Sequence, residues 1–177
     1  MMDAARFGRH TQMRRVGTRR SQRPVVARQI KYARDYLYGA LAVTGGEAHF
    51  AHVPGVGLDW DEGYLRDLAA TAAPAIHVLL RDQAGCHLRE GDPRLPARVR
   101  IIDRPPYSPE LNPCEQLWDI IKDDIANRIY ATVATLRAGM KATLRRFWDD
   151  PGTVLSRSGR DWLQLQLNAS PKTQVSL

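Results

Sequence analysis

Cysteine is scarce. Cys86 and Cys114 are the only two, and neither belongs to a Cys-x-x-Cys pair. That excludes a disulfide framework and a standard zinc site, and fits a reducing compartment. The histidines, His10, His49, His52, His77 and His87, show no His-Glu-x-x-His spacing. No apolar run is long enough to span a membrane. The first ten residues lack the apolar core of a signal peptide. The expectation is a cytoplasmic protein with no membrane partner, associated with the nucleoid if it binds DNA. There is no internal repeat and no low-complexity segment. Lysine occurs only at Lys31, Lys122, Lys141 and Lys172, so nearly all positive charge is arginine.

What is present is ordinary in bulk and unusual in charge. The 177 residues are 44% hydrophobic and 25% charged, enough for one domain with a real core. The formal net charge is +7 and the isoelectric point about 9.8. Arginine's planar fork suits phosphate, which favours a nucleic-acid partner. A GC-rich genome also enriches arginine, and a solvated basic surface competes with the nucleic-acid reading. The amino-terminal thirty residues concentrate the charge: Arg6, Arg9, Arg14, Arg15, Arg19, Arg20, Arg23 and Arg28, broken by Gly8 and Gly17. This composition reads as loop or short strand, either a solvated surface or a strip that tracks phosphates.

Further along, Tyr36 to Val43 reads as a buried strand. Thr44–Glu47 reads as a turn, and Ala48 to Val53 as the second strand of a hairpin. His49 and His52 fall on opposite faces of that strand, so they are poor partners for one metal. Asp59 opens a helix with Tyr64, Leu65, Leu68 and Ala69 on one face. Ile76 to Leu80 is continuously apolar, as expected for a central strand covered on both faces. Asp82 follows it directly. A carboxylate at the carboxyl end of a buried strand stands where open α/β sheets place chemistry, although turn aspartates are common there. His87 suits an orienting or proton-handling role, or a structural one. Thr132 caps a later helix with Val133, Leu136, Met140, Leu144 and Phe147 on one stripe, while Arg137, Arg145 and Arg146 lie off it. Residues 1–150 form the expected domain. Residues 151–177 form an extension, in which Trp162, Leu163, Leu165 and Leu167 suit a short docking element.

The most constrained stretch runs from Arg104 to Trp118. Pro105, Pro106, Pro109 and Pro113 stiffen it. An alternating strand, Arg98 to Ile102, precedes it. Leu117, Ile120, Ile121, Ile125 and Ile129 follow at helical spacing. Asn112 suits the N-cap, Pro113 the first helical position, and Glu115 the first turn. Glu115 is either a capping-box glutamate reaching back to the Asn112 N–H or a carboxylate aimed at a metal.

Three blocks then resemble one family. They are Asp3-Ala4-Ala5-Arg6-Phe7-Gly8, Leu79-Leu80-Arg81-Asp82-Gln83-Ala84-Gly85-Cys86-His87, and the run from Pro105 to Trp118. In content, order and spacing they resemble IS630 family transposases of the IS630/Tc1/mariner superfamily, in their DDE endonuclease catalytic domain. The resemblance covers roughly Asp3 to Phe147. It implies an α/β, RNase H-like fold, with a mixed central sheet flanked by helices. It implies that Asp3, Asp82 and Glu115 are the catalytic, metal-holding acids, with two Mg²⁺ or Mn²⁺ ions as cofactors. It also implies DNA strand cleavage and transfer in cut-and-paste transposition. Double-stranded DNA, at transposon ends and target, would be the partner, with Arg6, Arg9, Arg14, Arg15, Arg19, Arg20 and Arg23 on its phosphates. A homodimer, and an upstream helix-turn-helix polypeptide or fusion to read the ends, complete the implied assembly. Family members carry such an end-reading region, and here only Met1 and Met2 precede Asp3, so the expectation is a first strand truncated at its amino-terminal side. The alternative is an inactive DNA-binding or assembly fragment, or a decayed remnant. The chain departs from the family pattern at Ala4, Gln83 and Cys86. At Arg81 a cation replaces an apolar residue beside the second acid, which is expected to perturb the site electrostatically.

Overall fold

The computed structural model describes residues 1–71, 74–105 and 112–158. Three strands, β1 (Met2–Gly8), β2 (Arg34–Leu41) and β3 (Ala48–Val53), form an antiparallel sheet with β2 in the middle. Helix α1 (Leu58–Thr71) leads to β4 (His77–Arg81), which pairs in parallel with β5 (Val99–Asp103). Then come α2 (Pro113–Asp124), α3 (Val133–Asp149) and α4 (Pro151–Ser158). β1 and β4 are neighbours in space, which sets the two ladders side by side as one mixed layer.

The alternation of each strand sorts side chains to two cores. On one face Ala5, Phe7 and Leu37 pack with Leu117, Trp118 and Ile121 of α2, and with Leu136, Met140 and Val154 of α3 and α4. On the other face Met2, Tyr38 and Leu79 pack with Tyr64, Leu65 and Leu68 of α1. Each fully buried Leu or Ile contributes roughly 1.5–3 kcal/mol of transfer free energy. No helix is long and apolar enough to cross a membrane among the described residues.

Several expectations shift. Only Met2 precedes Asp3 within β1, but the strand gains length on its other side, running through Gly8. It pairs residue for residue with β2, from Met2 opposite Ala40 to Gly8 opposite Arg34. β4 is not covered on both faces: Val78 is 51% exposed and Ile102, on the neighbouring strand, 51%. Only Leu79 and Arg81 of β4 point fully inward. The apolar run therefore reflected one buried face and one covered only in part, where Leu80 packs against the α2 side while Val78 stays open. α2 ends with Ile125 as its C-cap. Asn127, in the left-handed region at φ 55°, breaks the helical path, and Ile129 lies beyond it, half exposed. α4 was not expected from the sequence, because eight residues are too few to display a helical stripe. Val154 nevertheless inserts fully into the core beside α2 and α3. The expected stiff linker at 106–111 and the apolar set Trp162–Leu167 lie outside the described residues.

Candidate active site

The join into α2 follows its local chemistry. Asn112 is extended and its side-chain oxygen accepts from the Cys114 N–H, with Pro113 in the first turn. Thr132 caps α3 with a reciprocal Thr135 hydroxyl, a complete capping box. No such reciprocal arm is present at α2 among the described residues. The Glu115 N–H donates to the Asn112 carbonyl, and the Glu115 side chain is left half-buried in the first turn. Capping therefore does not consume this carboxylate.

Asp3 sits on the face of β1 that meets α2. Its Oδ2 accepts from Asn112 Nδ2 at 2.9 Å and from Trp118 Nε1 at 2.9 Å. Its Oδ1 accepts from the Ala4 N–H at 2.8 Å. Sequence reasoning missed Trp118 and the second role of Asn112, because both contacts span more than a hundred residues. Trp118 reaches this position because β2 carries Gly39 directly opposite Asp3. A Cβ on Gly39 would stand 2.6 Å from the indole and 3.1 Å from the Phe50 ring. Phe7 meets the same indole edge-on, with centroids 6.2 Å apart.

The three acids stand on separate elements: Asp3 in β1, Asp82 just past β4, Glu115 in α2. Burial pushes the Asp3 carboxyl above its usual range, opposed by the Trp118 and Ala4 hydrogen bonds and reinforced by the Asp82 charge. Burial also raises Glu115, and the Asp3 charge is the next cause. The Asp82 charge thus bears on Asp3, and the Asp3 charge on Glu115. Among the described residues, however, no three His, Cys, Asp or Glu side chains are grouped closely enough to hold a metal ion.

Asp82 is half exposed. Its Oδ1 accepts from the Ala84 N–H at 3.2 Å and lies 3.5 Å from His87 Nε2. The other ring nitrogen, Nδ1, meets the fully buried Asp61 of α1 at 3.0 Å. Asp61 also accepts from Arg81 Nη1, at 3.0 and 2.9 Å, and from the Leu88 N–H at 2.8 Å. Burial works against the Asp61 charge, yet His87, Arg81 and the Leu88 N–H together hold its carboxyl below the usual range. Arg81, expected to perturb the acids, is instead turned into the α1 side and paired there. The cation that bears on Asp3 is Arg104, and on Glu115 Lys122 acts ahead of Arg104. A sequence signal for Asp61 existed: an arginine inside an apolar strand demands a buried anion.

The basic strip forms the connection between β1 and β2. Its base is stitched by Arg9 N–H to the Ala33 carbonyl at 2.9 Å and Thr11 N–H to the Gln29 carbonyl at 3.0 Å. Arg15, Arg19, Arg20 and Arg23 are exposed along it. Arg6 is exposed on β1, three residues from Asp3 and hence on the opposite face. Arg9 Nε donates to the Tyr130 carbonyl at 2.9 Å. Arg14 pairs with Asp123 at 2.7 Å. The seven arginines are therefore not equivalent.

A family model described as DDE superfamily endonuclease matches residues 1–137. The uncharacterised protein y4pE/y4sA of Sinorhizobium fredii (strain NBRC 101917 / NGR234) is 28% identical over 131 residues, which is 72% of this chain and 95% of that protein. The transposable element Tc3 transposase of Caenorhabditis elegans is 35% identical over 68 residues, 37% of this chain and 21% of the relative. Among solved structures, the Mos1 transposase paired-end complex with left transposon end superposes with a TM-score of 0.56 at 10% identity, over 90% of this chain and 55% of that chain. The last likeness shows the fold: an RNase H-like mixed sheet with helices on both faces. The chain spans just over half of the Mos1 chain and about a fifth of the Tc3 transposase.

Proposed function

The chain belongs to the DDE superfamily of endonucleases, and from that premise we propose that it is a transposase catalytic domain that cleaves and transfers DNA strands during cut-and-paste transposition. The observation that carries this reading is the placement of Asp3 on β1, Asp82 just past β4 and Glu115 on α2, near enough that the Asp82 charge bears on Asp3 and the Asp3 charge on Glu115. A carboxylate near enough for its charge to raise a neighbour's pKa favours a cation between the two. The donor set is all oxygen and anionic, which fits Mg²⁺ or Mn²⁺. Asp3, Asp82 and Glu115 are the residues that would hold two such ions. Bound there, the ions would supply nucleophile activation and leaving-oxygen stabilisation.

The chain's own residues supply the rest. Trp118 and Asn112 hold Asp3 Oδ2 in one direction, so the carboxylate does not sample rotamers freely. Arg15, Arg19, Arg20 and Arg23 are exposed forks suited to DNA phosphates. Arg6, Arg9 and Arg14 are the other proposed phosphate contacts, although Arg14 would first have to leave Asp123. Sequence-specific reading of transposon ends is assigned to an upstream helix-turn-helix polypeptide or fusion, and pairing of the ends to a homodimer.

One observation favours a second reading, an inactive DNA-binding or assembly fragment: the acids are coupled but not grouped at metal-holding distance. A nicking assay on supercoiled double-stranded DNA with Mg²⁺ or Mn²⁺ separates the two. Nicking by the chain that is lost in Glu115→Ala and in Asp3→Asn supports the enzyme. Equal nicking, or none, in all three chains, with DNA binding intact, supports the fragment.

A further inference from the structure

We infer that His87 is a positioning residue: anchored by the buried Asp61, it fixes the carboxylate of Asp82. The inference rests on the proposed metal-holding role of Asp82. Asp61 is a carboxylate with no exposure, set in the first turn of α1. It receives the ring at Nδ1, and the Arg81 guanidinium and Leu88 N–H occupy the rest of its lone pairs. The ring itself is buried, and Tyr38 meets it edge-on with centroids 6.2 Å apart. It therefore has one orientation, and that orientation aims Nε2 at Asp82 Oδ1, 3.5 Å away, an ion-pair contact made when the ring carries a proton on both nitrogens.

Asp82 needs such a device. It stands on the coil after β4, half exposed, with the Ala84 N–H as its one backbone partner among the described residues. A metal-holding side chain on a loop is loose unless a neighbour holds it, and groups of this kind commonly change metal affinity about 10–100-fold when removed. Arg81 has a place in the same arrangement. Its charge balances Asp61, so the anchor can be ionised in the interior without repelling the three acids.

The two ends of the ring can be tested separately. In His87→Asn the amide nitrogen reaches Asp61 in place of Nδ1, and nothing reaches Asp82. In His87→Gln the amide falls near Nε2 and faces Asp82, while the Asp61 bond is lost. Mn²⁺ binding to the full chain is measured by calorimetry, together with the melting temperature of each metal-free variant. The expected result is a crossed order. His87→Asn melts nearer the parent but binds Mn²⁺ about 10-fold or more weakly. His87→Gln melts lower yet recovers part of the affinity. Affinity that follows melting temperature across the two variants, or parental affinity in His87→Asn, overturns the inference. Asp82→Asn tests the underlying reading on its own: if Mn²⁺ binding survives that change undiminished, Asp82 does not hold the metal, and the positioning role falls with it.

Discussion

Replacing Arg81 by leucine probes how the α1 side of the fold is held. Arg81 is 1% exposed and Asp61 0%. Arg81 Nη1 spans both Asp61 oxygens, at 3.0 and 2.9 Å. Nε and Nη2 of the same guanidinium have no hydrogen-bond partner among the described residues. This is a dry ion pair with incomplete satisfaction, the kind whose desolvation cost rivals its attraction. Arg81→Leu leaves Asp61 buried with only His87 and the Leu88 N–H. Removing one partner of such a pair costs about 3–5 kcal/mol. For a chain of this size that corresponds to a melting-temperature drop of roughly 6–20 °C. In Asp61→Leu/Arg81→Leu no charge remains uncompensated. What remains is the orphaned Leu88 N–H, at about 1–3 kcal/mol, and a ring without its anchor. The double variant is therefore expected to be more stable than either single variant, with a coupling of about 2 kcal/mol or more. Urea melts of the parent, both singles and the double close the cycle. Additive losses, with the double the least stable of all, would refute the claim that the cost lies in the stranded charge.

Three further expectations concern Asp3 and Glu115, the Trp118 seat and the far edge of β2. The Asp3 and Glu115 carboxyls lie above their usual range. In that window the folded chain holds protons the unfolded chain has lost, so stability falls as pH rises through it. On the proposed metal-holding role, a divalent cation would replace those protons. Mn²⁺ should therefore raise the melting temperature near neutral pH and much less near pH ~4, and Asp3→Asn should flatten the difference. Gly39→Ala places a methyl 2.6 Å from the Trp118 indole. It should cost about 1–3 kcal/mol by overpacking and shift the tryptophan emission; a silent substitution would show that the indole is not seated against β2. Asp35 is fully buried, and its carboxyl faces three causes: burial works against its charge, while the His52 and Arg137 hydrogen bonds outweigh it and hold the group below its usual range. Its stabilisation is complete above the unfolded carboxylate pKa and is lost as pH falls through the depressed value. Arg137→Ala should thus shift the acid unfolding midpoint to higher pH, read by circular dichroism.

Local chemistry made much of the scaffold legible. The Asn112-Pro113 start of α2, the Thr132 start of α3, the β2–β3 hairpin and the α1 stripe each depend on residues within a few positions of one another. The misses share the opposite property. Ile129 kept the helical period but lay past a left-handed Asn127. α4 had too short a pattern to detect, and its burial comes from α2 and α3. Val78 read as interior because an apolar run does not say which of its two faces will be covered.

The same division holds at the candidate site. The order and spacing of Asp3, Asp82 and Glu115, with the arginine strip after Asp3, were written in the chain, because motif chemistry is a matter of residue type and interval. The partners of those acids were not. Trp118 and Asn112 reach Asp3, and Asp61 reaches Asp82 through His87, only once β1, α1, β4 and α2 have packed. Burial then decides the charges. Arg81 beside Asp82 in sequence turns to Asp61, because the alternation of β4 sends neighbouring side chains to opposite faces and the low-dielectric α1 side demands a counter-ion. Sequence determined which acids the chain carries and where helices begin. Packing decided which side chains hold them, since a contact across a hundred residues is set by the fold and not by any local propensity.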